Sequence, residues 1–535
     1  LEQLYKSVTE NEQLSFSGLF ARMQYANEAH KVSAQLQVQS NRLRILCNRI
    51  AHEEHTTITD SDFVSAVGIS NALIEYFCPQ YSNASLADYL AKKPVATIKT
   101  LPEASKQSFS CMLKSWKVDA NCLCLEVVRE DGSSCQISLN NDAKQAGHDG
   151  RQWTMLAKSL WQYADLRCHE LTAISGKADS YMNNPRTIIV LEPDFLIDAS
   201  ALAACFATSS GDPLVFFLNS LFRDASSEAA LQGSMVNSIF DELILNPSAD
   251  YLELFKHGLA NMPIAFVSLG RQAAMNIYNC IRDEHLPQLK SFIANLCEAE
   301  ILLEPSYICP DYGLQGRLDL LAKQGDSYSI VELKSGKAHP TEVWTSHQMQ
   351  VIAYNMLIRN AYGARRVSNA SILYSASKEN SLRHVVNISI LEQDLLMCRN
   401  RIIGLMHTLA SEPEKLFAWL KTFNKFPSNP IIRSKYERYQ CLATNLTDYE
   451  AEWFTAQVQR VVREIWFVKT GDNGSRSDSS YGHNALWQLS STEKKATYKI
   501  IPDLVPTDQH KNLICFNIPV SDEIADFRQG DIVVL

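Results

Sequence analysis

The chain contains no GxxxxGK[ST] segment, no CxxC pair, no internal repeat and no apolar run long enough to span a bilayer. The first absence excludes a phosphate-loop motor from this stretch. The second argues against a zinc ribbon, since such sites are assembled from close thiolate pairs. The 14 cysteines are scattered, which suits a reducing compartment better than a secreted disulfide scaffold. Without a membrane-length run or a signal-like start, the expectation is a soluble cytoplasmic protein with no membrane partner. Positive charge is also short: the formal net charge is -9. No global positive field therefore recruits nucleic acid, and such a partner would depend on local basic groups and metal ions.

What is present is an ordinary globular balance, 46 % hydrophobic and 20 % charged over 535 residues. That length is enough for roughly two to four domains. The chain starts at Leu1 and stops in the strand-like run "FRQGDIVVL" (527–535), so it reads as a piece of a longer protein.

The pattern along the chain predicts a multidomain α+β protein. Residues 1–95 read as a helical bundle, with "LFARMQYANEAHKVSAQLQVQSNRLRILCNRIAHEEH" as one amphipathic run and Thr59 or Asp60 capping the next helix. Residues 106–198 hold about five short β-rich runs separated by polar turns, fitting an OB-like β-barrel with a helix near "WTMLAKSLWQYA". Trp116 and Trp153 there could stack on bases, though packing is the plainer reading. Residues 199–425 alternate helices, among them "LPQLKSFIANLCEAEILL", with strands of one mixed sheet, an α/β core. Residues 426–510 read as a helical stalk, including "ALWQLSSTEKKATYKII", and 511–535 as the start of a small β-barrel.

The chemistry concentrates in "GRLDLLAKQGDSYSIVELKSGK" (316–337). With a turn centred on Gly325 and Asp326, Asp319 falls opposite Glu332 and Arg317 opposite Lys334. Strand alternation puts all four on one face and Leu318, Leu320, Val331 and Leu333 on the other. Opposed carboxylates repel, and more so when desolvated, unless a divalent cation neutralises them. Hard Mg²⁺ or Mn²⁺ suits such oxygen ligands, and Lys334 could orient a water for metal-assisted phosphodiester hydrolysis. The same four residues also fit a solvated salt-bridge lattice; a glycine before the strand, the apolar "IVELKSGK" and a following helix with "QVIAY" weigh toward a site.

Together, "YGLQGRLDLL", "YSIVELKSGK" and "SHQMQVIAYNML" resemble the PD-(D/E)XK nuclease core of the RecB-like superfamily. The nearest likeness is to the nuclease module of the eukaryotic-type replication helicase–nuclease. That resemblance implies a restriction-endonuclease-like core with catalytic Asp319, Glu332, Lys334, Gln350 and Tyr354. It implies Asp319, Glu332 and the Leu333 carbonyl as metal ligands. His347 matches a residue seen in such nucleases, and Arg317 and Lys337 would bind phosphates beside it. The family's upstream Gly-x-x-x-His histidine is replaced: Gly233 stands in place, with Asn237 at the histidine position. Asn237, Glu304 and, one turn on from Asn237, Asp241 are then the candidate further ligands. Many relatives hold an iron–sulfur cluster; with only Cys398 and Cys441 after Gln350 within the nuclease module, and those far apart, no cluster is expected and both are read as buried apolar groups.

The likeness extends loosely over residues 110 to 535 and implies a helicase motor downstream of this chain. Separately, "LRILCNRIAHEEH" resembles the core helix of HEPN domains, with Asn48 and His52 in place but Cys47 where the arginine belongs. Assembly through these N-terminal helices is the favoured reading there, and an RNase the rival. The overall expectation is a metal-dependent DNA nuclease acting on single-stranded DNA or free ends. A nuclease-fold binding scaffold with little cleavage is the alternative, motivated by Asn237.

Overall fold

A computed structural model describes residues 1–10, 19–52, 59–81, 108–141, 153–174, 177–208, 211–222, 227–296, 299–340, 342–385, 389–423, 429–471, 482–496, 500–501, 504–510 and 513–518. It is a mixed α+β protein in two compact units, the first formed by Leu1–Phe195, Ile403–Ser411 and Gln457–Leu535, the second by Leu196–Ile402 and Glu412–Ala456. Among the described residues no helix is long and apolar enough to cross a membrane.

The first unit begins with α1 (Glu2–Val8), α2 (Leu19–Ala29), α3 (Ala34–His52) and α4 (Asp60–Phe77). Tyr5, Met23, Ala26, Leu43, Ile69 and Leu73 form their core. The long run expected from residue 19 onward is two helices, because Lys31 takes a left-handed conformation (φ +56°) that an α-helix cannot continue through. Thr59 caps α4 in a reciprocal box with Asp62.

Strands β1 (Phe109–Val118), β2 (Cys122–Arg129), β3 (Ser134–Asn140), β4 (Asp165–His169), β5 (Thr172–Ala173), β6 (Ser180–Met182) and β7 (Ile188–Leu191) follow. They form one seven-stranded sheet in the order β5-β6-β3-β2-β1-β4-β7. The helix expected near Trp153 is a 3-10 helix, Trp153–Ser159. Trp153 is buried and Trp116 half-buried.

The second unit holds the α/β part. Strand β8 (Ile197–Asp198) leads into α5 (Ala199–Ala204) and α6 (Leu214–Leu221), then α7 (Glu228–Leu245), α8 (Tyr251–Asn261), α9 (Pro263–Cys280), a π-helical turn at Ile281–His285, and α10 (Leu286–Ala294). Next come β9 (Glu300–Leu303), β10 (Ser306–Cys309), β11 (Leu314–Arg317), β12 (Leu320–Gln324) and β13 (Ser327–Lys334). Helix α11 (Thr345–Tyr362), β14 (Val367–Tyr374) and β15 (Leu382–His384) complete the core. The helix expected over 286–303 therefore ends at Ala294, and its last four residues are strand β9, hydrogen-bonded along β12 from Leu303↔Leu320 to Glu300↔Lys323.

The main sheet runs β15-β14-β13-β12-β9, with β8, β11 and β10 in a separate three-stranded sheet. Parallel pairing of β13 with β14 requires a crossover connection, and α11 supplies it. Leu320, Ala322, Val331 and Leu333 pack against apolar side chains of α7 to α10.

Helices α12 (Ser389–Ser411), α13 (Lys415–Thr422), α14 (Pro430–Thr444) and α15 (Asp448–Thr470) follow. The helix expected from residue 485 is two short ones, α16 (Ala485–Gln488) and α17 (Ser491–Ala496). Between them Ser490 begins a new cap: its side chain accepts the Glu493 N–H, and the Glu493 carboxylate accepts from Ser490. Strands β16 (Val505–His510) and β17 (Leu513–Asn517) pair as a hairpin. The run at 527–535 lies outside the described residues.

Candidate active site

The two-residue connection Gly325–Asp326, with Gly325 at φ +59°, sets the register of the β12–β13 hairpin. Gln324 faces Ser327 and Leu320 faces Val331, so one step further Asp319 comes opposite Glu332, as the count from the turn predicts. The prediction fails one step beyond that. Leu318 and Asp319 interrupt the strand, and Arg317 belongs to β11, where it pairs with Ser306 and not with Lys334. Arg317 is exposed and ion-paired to Glu304 at 3.3 Å.

The break is what aims Asp319 inward. Its Oδ2 accepts the Leu333 N–H at 2.7 Å, and its own carbonyl accepts the Glu304 N–H at 3.1 Å. Glu332 is 3 % exposed. Its Oε1 accepts from Lys334 Nζ at 2.7 Å and from Gln350 Nε2 at 2.8 Å. Lys334 Nζ also donates to Gln350 Oε1 at 2.9 Å. Gln350 Nε2 reaches Tyr354 OH at 2.9 Å, and that hydroxyl donates to the Arg317 carbonyl at 2.9 Å. Gln350 and Tyr354 lie four residues apart and so share one face of α11. The network closes between that helix and the two strands.

Electrostatics follow from burial. Glu332 is pushed up to about 8, chiefly by loss of solvent and then by Asp319, with Lys334 opposing. Asp319 is raised as well, by burial first, against the Leu333 N–H and Lys334. Nearby on α7, Asp241 is pushed up to about 7 by burial and by Glu304 and Asp319, with Arg317 opposing. Glu332 Oε2 is buried without a hydrogen-bond partner. A buried acceptor left in this state is costly, and a cation would satisfy it.

The remaining expected residues are placed less centrally. Asn237 is half-buried on α7, and among the described residues its side chain makes no hydrogen bond. His347 Nδ1 meets Tyr374 OH at 3.0 Å, and burial, then Lys334, pushes its pKa down to about 4; it is neutral near pH 7. Lys337 is exposed, and its carbonyl accepts from Trp344. Cys398 is buried, but Cys441 is exposed, against the expectation that both are buried: it faces out from α14. The Asn48 and His52 side chains lie outside the described residues.

Among the described residues no three His, Cys, Asp or Glu side chains are close enough to hold a metal ion as they stand. The donor chemistry nevertheless fits one. Asp319, Glu332 and the Leu333 carbonyl are all-oxygen donors of the kind hard divalent cations take, and the unpartnered Glu332 Oε2 is an open ligand position. The glycine before the strand is Gly316. A Cβ there would meet Tyr354 Cε1 at 2.9 Å and Ala199 Cβ at 3.1 Å, so only glycine lets the tyrosine ring close over the strand.

The site is therefore a mixed sheet whose central hairpin carries opposed carboxylates and a lysine, backed by a glutamine and a tyrosine from the crossover helix. Residues 249–469 match the family model of the PD-(D/E)XK nuclease superfamily. The chain thus carries a domain of that superfamily, whose members are in general nucleases and use divalent metals such as Mg²⁺. Asp319, Glu332, Lys334, Gln350 and Tyr354 lie inside the matched stretch, while Gly233, Asn237 and Asp241 precede it. No curated protein matches the chain.

Proposed function

We propose that this chain is a metal-dependent deoxyribonuclease that hydrolyses phosphodiester bonds at single-stranded DNA ends or flaps. The observation that carries the reading is the buried Glu332, with Oε1 held by Lys334 and Gln350 and Oε2 unpartnered beside Asp319. Asp319, Glu332 and the Leu333 carbonyl would hold Mg²⁺ or Mn²⁺, with Asn237 and Glu304 as further candidates. The cation supplies charge to offset that developing on the phosphate and makes a bound water more acidic. Gln350 fixes both partners: its oxygen accepts from Lys334 and its nitrogen donates to Glu332, so neither side chain can rotate away independently. Lys334 keeps an ammonium at the edge of the carboxylate pair, where it can orient a water or receive phosphate charge. Exposed Lys337 and Arg317 would meet the DNA backbone; Arg317 must first leave Glu304.

The single-strand preference and a helicase motor downstream belong to this proposal through the family likeness and the OB-like strands, assembly through the N-terminal helices through the HEPN-like segment, and a cytoplasmic setting through the scattered cysteines. A second reading, a DNA-binding scaffold with little cleavage, is favoured by Asn237 and by the absence of a ready three-carboxylate site among the described residues. The deciding experiment is digestion of end-labelled single-stranded and duplex DNA with Mg²⁺, Mn²⁺ or EDTA, comparing the chain with Lys334→Ala. Metal-dependent cutting lost in the variant supports the nuclease. Binding by both proteins without cutting under any metal supports the scaffold. Metal-independent RNA cleavage that survives Lys334→Ala and is lost in His52→Ala would point instead to the HEPN-like segment.

A further inference from the structure

A buried hydrogen-bonded chain runs from α7 to the backbone of Lys334. Gln232 Nε2 lies 2.9 Å from His285 Nε2, and His285 Nδ1 lies 2.8 Å from Ser375 Oγ. Both His285 and Ser375 are 0 % exposed. An amide nitrogen can only donate, so His285 Nε2 is the acceptor and Nδ1 carries the proton that goes to Ser375. The serine hydroxyl in turn faces the Lys334 carbonyl at 3.4 Å, which the Ser375 N–H also reaches at 3.0 Å. Every donor therefore points the same way, toward the residue whose ammonium holds Glu332.

Two features of the fold make this chain. His285 ends the π-helical turn Ile281–His285 between α9 and α10; an extra residue in a turn re-aims the side chains that follow. Ser375 stands one residue beyond Tyr374, the last pairing partner of Lys334 in the parallel β13–β14 ladder. The strand pairing stops there, so Ser375 clamps the point at which Lys334 would otherwise be free to twist.

We propose that His285 and Ser375 are positioning residues for Lys334, fixing its backbone so that its ammonium stays on the Glu332–Gln350 pair. The inference rests on the nuclease reading and deepens it. Its test compares Ser375→Ala, His285→Leu and His285→Gln in metal-dependent cleavage, with Mn²⁺ affinity and Tm measured on the same samples. Ser375→Ala should lower kcat by about tenfold to a hundredfold, as small misplacements of a catalytic group do. KM and Mn²⁺ affinity should change by no more than about twofold, the signature of a group acting on the reacting step alone. His285→Leu should behave likewise. His285→Gln, whose amide can accept from Gln232 and donate to Ser375, should recover most of kcat. Unchanged kcat in Ser375→Ala and His285→Leu, with an active unsubstituted chain, overturns this inference alone. So does a loss in all three variants that follows Tm. An unsubstituted chain that cuts nothing overturns the nuclease reading and this one with it.

Discussion

On one side of β13, Val331 and Leu333 join Leu320, Ala322 and the apolar side chains of α7 to α10 in one core. On the other side, Glu332 is as deeply buried and holds Lys334 and Gln350. The apolar face gains free energy simply by leaving water. The carboxylate face loses solvation and is tolerated only because donors replace part of it; one oxygen of Glu332 is not replaced at all. A buried charge pair is weak evidence for stability. The comparison therefore teaches that one strand separates two jobs: cohesion on the face toward α7 to α10, reactivity on the face toward α11.

The largest expected effect tests the reactive face. Glu332→Gln keeps the shape and removes the group that can ionise to hold a cation, so cleavage should fall by about a thousandfold or more. The metal-free protein should melt no lower than the unsubstituted chain, because a buried acid crowding Asp319, itself held largely protonated below about pH 8, is replaced by a neutral amide of the same shape. Rates on labelled DNA and thermal melts of the same preparation check both halves. A fall of several degrees in Tm would break the division of labour between the faces.

The cohesive face predicts the converse. Leu320, fully buried opposite Val331, loses packing in Leu320→Ala at a cost of about 2–5 kcal/mol. Urea unfolding should show that loss, while turnover per folded molecule stays near that of the unsubstituted chain. Strong inactivation at a temperature where the variant is fully folded would show that the two faces are coupled.

How much of this was legible from the residues depended on distance along the chain. The Gly325–Asp326 turn fixes the count, so the Asp319–Glu332 opposition could be read, as could Gln350 and Tyr354 on one helix face. Arg317 could not be placed, because the chain changes sheets at Leu318 and no local pattern marks that step. Strand β9 was hidden in "CEAEILL", whose alanine, leucines and glutamates are strong helix formers; only pairing with β12 makes it a strand. The His285–Ser375 contact joins residues 90 positions apart and has no local signal.

A half-buried histidine extends the comparison to the first unit. There the imidazole of His407 stacks on Trp161 with centroids 3.8 Å apart, and burial pushes its pKa down to about 4. Unfolded, it titrates near the ordinary value of about 6.5. The unfolded state then binds more protons between those values. Stability should be intact above about pH 6.5 and fall as pH drops toward 4, by on the order of 3 kcal/mol. His407→Phe keeps a stacking ring and removes the titration, so denaturation curves at pH 5 and 7 should lie closer together than in the unsubstituted chain. An equal separation would assign the acid sensitivity to other groups.

Gly316→Ala should have the smallest effect, and it bears on whether the reactive face needs close packing as much as the apolar one does. The added methyl would sit 2.9 Å from Tyr354 Cε1 and 3.1 Å from Ala199 Cβ, so either the ring or β11 must shift. Overpacking of this kind costs about 1–3 kcal/mol. The shift also acts on the hydroxyl that joins Gln350 to the Arg317 carbonyl. A severalfold fall in kcat beyond the stability loss is therefore expected. Tyr354→Phe removes the hydroxyl without moving the ring, so the double variant should lose less than the sum of the two singles, as residues sharing one contact do. Full additivity would mean that the Gly316→Ala shift acts on turnover by a route other than the Tyr354 hydroxyl.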